Sequence, residues 1–216
     1  MTARLGLLVD LASRGRGRLE AELARRRARR YARAPAVVYT TRLTLRPLNL
    51  QDFGAHYAAV DSDPAVTWDS REHSPAESMA LLEWRIRERA RCGFGIWAVI
   101  DKESGAFLGH CGLEYLEDTP EVELCYYLAR SAWGRGFATE AARAALDFGF
   151  TQLGLKRIVA VVRPENSASQ RVLAKLGFRY LGPARHYGFE VQLWNLSRRG
   201  FESQATRERE AIGGRK

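Results

Sequence analysis

Residues 122–140 constrain this chain more than any other stretch. Val122 to Leu128 reads as a strand, a loop covers 129–137, and a helix runs from Thr139 to Leu153. Between strand and helix stands Trp133-Gly134-Arg135-Gly136-Phe137-Ala138-Thr139-Glu140. Two glycines and an alanine let backbone come close to a ligand. The helix that follows offers unpaired amide N–H groups and the positive end of its dipole. Together these make a seat for a phosphate or pyrophosphate. The pattern lacks the Gly-Lys-Ser/Thr end of a Walker loop. A Rossmann fingerprint would belong to the first parallel βαβ unit, which this is not.

The flanking sequence supplies the rest of a sheet. Tyr39 to Leu48 alternates like a strand, and Leu50 to Val60 has helical spacing. Ser74-Pro75-x-Glu77 is a helix start, and Cys92-Gly93 is its stop. Phe94 to Ile100 and Ala106 to Tyr115 read as strands joined by a Lys102–Gly105 turn. Ile158 to Val162 is a short apolar strand, Asn166 to Leu176 a helix ended by Gly177, and Phe178 to Leu181 and Glu190 to Leu196 closing strands. This order predicts a mixed α/β domain with a largely antiparallel sheet.

The second chemical signal is Asn166-Ser167-Ala168-Ser169 opening a helix that closes on Lys175-Leu176-Gly177-Phe178. Asn166 is a good cap and Gly177 a good C′ residue, so each piece alone has an ordinary structural explanation.

Charge divides the chain. The net charge is +9, but residues 1–36 carry ten arginines against Asp10, Glu20 and Glu22. The rest is nearly neutral, so the basic character belongs to an N-terminal arm (1–36), helical or disordered, ahead of a main body (37–200) and a charged, frayed tail (201–216). The arm is either a solvated surface segment or a contact for ribosomal RNA or another polyanion. No apolar run reaches the roughly 20 residues of a membrane span. Cys92, Cys111 and Cys125 fit no zinc or redox spacing, and His56, His73, His110 and His186 form no ligand pair, so no metal is expected. Three thiols without a disulfide framework suit the cytoplasm.

Glu123-Leu-Cys-Tyr-Tyr-Leu, Trp133-Gly-Arg-Gly-Phe-Ala-Thr-Glu, Asn166-x-x-Ser and Lys175-Leu-Gly-Phe, in this order, resemble the GNAT superfamily of N-acetyltransferases over about residues 40 to 198. Arg42-Leu43-x-Leu45-Arg46-Pro47 is similar to the family's opening strand. The Trp-Gly-x-Gly-x-Ala-Thr-Glu form is similar to the branch that acetylates ribosomal-protein N-termini. The resemblance implies a sheet of about six to seven strands flanked by four helices, with splayed central strands.

It also implies the chemistry. Acetyl-CoA enters where the strand ending at Leu128 splays from 158–162. Backbone of Tyr126, Tyr127 and Leu128 meets the pantetheine, and Trp133, Gly134, Arg135, Gly136, Phe137, Ala138 and Thr139 form the pyrophosphate seat. Asn166 orients the pantetheine arm or a water. Direct transfer needs a base, an oxyanion site and a proton for the thiolate. Glu123 is the candidate base, Glu114 a weaker one, and Ser169 the proton donor, because the family's usual tyrosine falls on Leu173. Alternation puts Glu123 on the face opposite Val122, Leu124 and Tyr126.

Trp68, Asp69, Glu72 and Trp84, with Asp52, Asp61 and Asp63 nearby, are candidates for an acceptor mouth. The leading acceptor is a peptide or protein N-terminal amine. A small amine such as a polyamine or aminoglycoside is the alternative, and an idle acetyl-CoA-binding module the third reading. A monomer and a homodimer both remain open.

Overall fold

The computed structural model describes residues 37–213; the basic arm lies outside them. In chain order the elements are β1 (Val38–Tyr39), β2 (Leu43–Pro47), α1 (Phe53–His56), α2 (Pro75–Cys92), β3 (Ile96–Asp101), β4 (Phe107–Tyr115), β5 (Val122–Leu128), α3 (Phe137–Asp147), β6 (Arg157–Val162), α4 (Ser167–Lys175), β7 (Arg179–His186), β8 (Phe189–Ser197) and α5 (Arg198–Gly213). A 3-10 turn (Leu50–Asp52) leads into α1, and π-helical turns (Tyr57–Asp61, Phe148–Gln152) extend α1 and α3.

The strands form one sheet in the order β1-β2-β3-β4-β5-β6-β8-β7. Neighbours are antiparallel except β5 and β6, which run parallel and pair only at Glu123↔Val159. Beyond that point the two strands separate. The expected splay is therefore real, and it divides the sheet into β1–β5 and β6–β8–β7.

Alternation sorts side chains between the two faces. Leu43, Leu45, Trp97, Val99, Cys111, Leu113, Val122, Leu124 and Leu128 join α3, α4 and α5 in one apolar cluster. On α3 the buried positions are Phe137, Ala141, Ala142, Ala145 and Leu146, a helical stripe whose alanines allow close approach to the sheet. Leu48, Ile96, Ala98 and Cys125 face the other way and pack with Phe53, Leu82 and Ile86 of α1 and α2. Glycine is required at Gly109, where φ is +135° and a Cβ would stand 2.2 Å from the Tyr127 carbonyl oxygen.

The caps follow the sequence signals. Ser74 and Glu77 make a reciprocal box at the start of α2, and Gly93 (φ +78°) closes that helix in the left-handed region. Several boundaries differ from expectation. The opening strand is broken at 40–42, where Thr40 turns the chain so that β1 folds back on β2. The sheet has eight strands because this break adds one, and β7 is longer than 178–181. Gly182-Pro183 reads as a loop, yet β7 is an edge strand with a register shift at Tyr180/Gly182, where proline is tolerated. The residues after Arg199 form α5 rather than a frayed end, anchored by buried Phe201 and by Gln204 Nε2 donating to Lys175 O (2.7 Å).

Candidate active site

The backbone half of the site lies at the end of β5. Trp133 Nε1 donates to Leu128 O (2.7 Å), which folds the loop back on the strand while leaving the indole half exposed. Gly134 (φ +72°) and Gly136 (φ +80°) both adopt left-handed backbone. Gly136 is the N-cap of α3 and brings no side-chain cap, so the first amides of α3 face outward from a bare turn. Phe137 is buried and can offer a ligand only its backbone amide. Two guanidinium groups stack on its ring, Arg42 at 4.4 Å and Arg135 at 4.7 Å. Arg42 also donates to the Arg135 carbonyl (2.9 Å) and pairs with Glu140 (2.7 Å), which ties β2 to the loop. Ala138 and Thr139 are half-buried in the same turn. Glycine backbone, bare amides and two arginines fit a pyrophosphate. Arg42 was not singled out from sequence, because it lies 93 positions before Arg135.

Tyr126 and Glu123 lie on opposite faces of β5, as alternation requires. The Tyr126 hydroxyl shares a 2.6 Å hydrogen bond with Ser169 Oγ. Burial pushes the Tyr126 phenol well above the usual tyrosine range, and the hydrogen bond to Ser169 only partly opposes it. Ser169 is also held through its backbone N–H, which donates to Asn166 Oδ1 (2.9 Å). The Asn166 carbonyl oxygen is therefore engaged in capping α4, which leaves its NH2 to meet a ligand. Leu173 is buried in the core and takes no part.

Glu123 is 2% exposed and stands opposite Glu114 in the β4–β5 register. The Tyr187 hydroxyl donates to Glu123 Oε1. Tyr187 sits in the two-residue turn between β7 and β8, where Tyr187 and Gly188 both have positive φ (+54° and +80°), as a type I′ hairpin needs. Glu117 fixes that turn. Its Oε1 accepts from Tyr187 N (2.8 Å), and its Oε2 meets His186 Nδ1 at 2.6 Å. Sequence reading gave Tyr187 and His186 no role at the site; the Tyr187-Gly188 pair between alternating residues is the signal that would have placed them.

On the α1–α2 side of the sheet opens a cleft lined by Asp61, Trp68, His73, Arg85, His110 and Tyr127, among others. Trp68 meets the Tyr187 ring edge-on at 5.8 Å and so connects cleft and turn. Most acids expected at the acceptor mouth are already engaged. Asp52 binds Arg46 (2.6 Å), Asp63 binds Arg130 (2.7 Å), and Asp69 binds Arg71 (2.9 Å) and His73 (3.0 Å). Glu72 accepts from Tyr57 (3.2 Å). Asp61 accepts from Ser78 Oγ (2.6 Å) and lies 3.2 Å from His56 Nδ1. Burial opposes the charge on Asp61, but His56, Arg85 and Ser78 outweigh it and hold its pKa below the usual carboxylate range. Trp84 lines a second cleft with Glu88, Arg91 and Glu114.

Among the described residues no group of three His, Cys, Asp or Glu side chains is placed to hold a metal, and no helix is long and apolar enough to cross a membrane. The cysteines are all buried and free, and burial pushes the Cys111 thiol up.

Comparison with known proteins agrees with this geometry. Residues 42–179 match the family model described as the acetyltransferase (GNAT) domain. The chain is 33% identical over 165 residues to the protein YkkB of Bacillus subtilis, covering 75% of this chain and 92% of that one. It is 35% identical over 156 residues to the uncharacterized N-acetyltransferase p20 of Bacillus licheniformis, covering 69% and 86%. Among solved structures, an acetyltransferase from Agrobacterium tumefaciens superposes with a TM-score of 0.67 at 28% identity, covering 74% of this chain and 93% of that one. The splayed sheet, the glycine loop and the matched length lead to one conclusion: this chain belongs to the GNAT family of acetyltransferases, enzymes that use acetyl-CoA.

Proposed function

We propose that the enzyme transfers the acetyl group of acetyl-CoA directly to an α-amine of the kind found at a peptide or protein N-terminus. The observation that carries this reading is the placement of buried Glu123, gripped by Tyr187, at the one point where β5 and β6 still pair. An amine approaching the splay from the α1–α2 face meets this carboxylate. Glu123 takes a proton from the incoming ammonium, directly or through a water, and Tyr187 fixes its orientation. The neutral amine attacks the thioester carbonyl carbon. The C–N bond forms, the C–S bond breaks, and the thiolate leaves with the second amine proton. Ser169, oriented by Tyr126 and Asn166, relays that proton to the sulfur from the opposite face. The amides of Gly134–Thr139, with Arg135 and Arg42, hold the pyrophosphate, and backbone of Tyr126–Leu128 in the open splay meets the pantetheine.

The pairing of the mouth acids favours one ammonium over a polycation. With Asp52, Asp63 and Asp69 each neutralised by an arginine, little unbalanced negative charge remains for a polyamine or aminoglycoside. The peptide reading also draws on the Trp133–Glu140 form of the loop. The arm of residues 1–36 would add a polyanion contact such as ribosomal RNA. Deleting it should weaken salt-sensitive RNA association without changing acetyl-CoA affinity; unchanged association removes the arm from this account.

The test is steady-state turnover with short peptides of varied N-terminus, spermidine and an aminoglycoside. The reading expects the highest kcat/KM on α-amines. A preference for spermidine would replace it.

A further inference from the structure

Arg85 differs from the ion-paired arginines near the cleft; Arg89 resembles it in leaving a buried donor, Nη1, without a partner. Arg46 grips Asp52, Arg71 grips Glu77 and Asp69, and Arg91 pairs with Glu88, each at the protein surface. Arg89, farther along α2, lies over the Trp97 ring at 5.6 Å. Arg85 is 5% exposed, and among the described residues no carboxylate comes within the 4.0 Å of an ion pair. Its one hydrogen bond is from Nη1 to His56 Nε2, at 3.4 Å, and its Nε is buried without a partner.

The helix explains how it comes to be there. On α2 the buried positions Ser78, Leu81, Leu82 and Arg85 make one inward stripe, so a guanidinium occupies a position patterned as core. His56 stands between it and the nearest acid. Its Nδ1 is 3.2 Å from Asp61 Oδ2, and its Nε2 lies 3.4 Å from Arg85 Nη1 and 3.1 Å from His110 Nδ1. One imidazole nitrogen at 3.4 Å is a weak partner for a group with five donors that is always charged. His73, also buried and lining the cleft, has its Nδ1 3.8 Å from Asp61, beyond hydrogen-bond reach. A buried cation with unfilled donors is costly unless an anion completes it.

We propose that Arg85 is the specificity-determining anchor for a carboxylate carried by the acceptor, so that the preferred substrate is an α-amino acid with its carboxylate free. This rests on the reading of the protein as an α-amine acetyltransferase and departs from it on the acceptor, a free amino acid in place of a peptide N-terminus. A zwitterionic acceptor suits both ends of the site: the ammonium is drawn toward Glu123 and the carboxylate toward Arg85, and the ligand adds no net charge to a buried cleft. Asp61 offsets part of the Arg85 charge through space, and it is too far away to fill the guanidinium fork. The bidentate geometry of arginine and carboxylate is what that fork is shaped for.

Matched acceptors of one side chain test this: an L-amino acid, its carboxamide, and the amine lacking the carboxyl group. Each is assayed with the wild type, Arg85→Met and Arg85→Lys. The wild type should favour the amino acid over its carboxamide by about tenfold to a hundredfold in kcat/KM, the range for a hydrogen bond to a charged group. Arg85→Met should bring that ratio close to one. Arg85→Lys should keep part of the preference. A wild-type ratio of one or less assigns the cleft to peptide carbonyls and overturns the proposal, as does a preference that survives in Arg85→Met. Calorimetric titration of the CoA-bound protein with the amino acid and the carboxamide separates site from reaction, and also serves should Arg85→Met fail to fold. Binding of the amino acid that weakens in Arg85→Lys supports the anchor even if no amine is acetylated, which would defeat only the transfer reading. No tighter binding of the amino acid than of the carboxamide overturns the anchor.

Discussion

The two sides of β5 are built on different principles. On one side Tyr126 points to Ser169, and the strand runs on into the glycine turn and the bare first amides of α3. That side works mostly through backbone, and its parts follow one another within one strand, one loop and one helix start. On the other side Glu123, Tyr187, Trp68 and Arg85 come from four separated segments and work through side chains. A site made of backbone must be written locally, as glycines at fixed offsets, because only local sequence sets φ and ψ. A site made of side chains can be gathered from anywhere the topology allows. In the proposed reading, the common half of the reaction, holding the donor, sits on the first side, and the variable half, choosing the acceptor, on the second.

Substitutions on the two sides should therefore separate cleanly. The largest effect belongs to Glu123→Gln, which should lower kcat on the order of a hundredfold or more while leaving the acetyl-CoA dissociation constant unchanged. Rapid-quench turnover beside calorimetric acetyl-CoA binding reads both, and a matching loss of affinity would erase the division. Gly136→Val should do the reverse. A β-branched residue at φ +80°, with its Cβ 3.5 Å from Arg42 Nη2, costs about 1–3 kcal/mol of strain and displaces the turn. Acetyl-CoA affinity should fall at least about tenfold, with acceptor preference intact. Unaltered affinity would remove the glycine turn from the donor site.

Smaller effects sharpen the boundary between the sides. Tyr126→Phe removes the 2.6 Å contact with Ser169, and a lost hydrogen bond of about 1 kcal/mol should lower kcat roughly fivefold. Ser169→Ala should lower it at least as much. The two together should cost little more than Ser169→Ala alone if they act as one unit, and full additivity in a double-mutant cycle would say otherwise.

The mildest effect concerns pH and the helix that carries Arg85. The hydrogen bond from Arg71 and the box with Ser74, acting against some burial, lower the Glu77 pKa from 4.5 to about 2. The folded value lies below the unfolded one. Its contribution is thus complete above about pH 4.5 and is lost as pH falls toward about 2. Glu77→Gln should cost about 1 kcal/mol at neutral pH, the usual worth of a cap. The difference in melting temperature from wild type should shrink through that same window. A constant difference down to pH 2 would show that the box contributes nothing through charge.

The division also explains what could be read before folding. The meandering strands, the cap of α2 and the loop at 134–139 were all legible, since each depends on neighbours in sequence; the splay was implied only by the family resemblance. The break at 40–42 was not, because an alternating run gives no sign of where an edge strand turns back. Gly182-Pro183 concealed the length of β7, since only its edge position makes a proline tolerable. On the acceptor side Glu123 was legible from alternation. Its partner Tyr187 lies 64 residues away and could not be assigned without the β6–β8–β7 order. The mouth acids illustrate the same limit: composition places Asp52, Asp63 and Asp69 near one another, and only the fold shows each already facing an arginine.

The central claim is direct acetyl transfer to an α-amine at the splay between β5 and β6. Free-thiol release from acetyl-CoA, followed continuously with and without α-amine acceptors, tests it most directly. The account predicts that thiol appears only when both substrates are present, in step with acetylated amine, and that Glu123→Gln suppresses it. Thiol release at the same rate without any amine, or none with any amine despite tight acetyl-CoA binding, would contradict it.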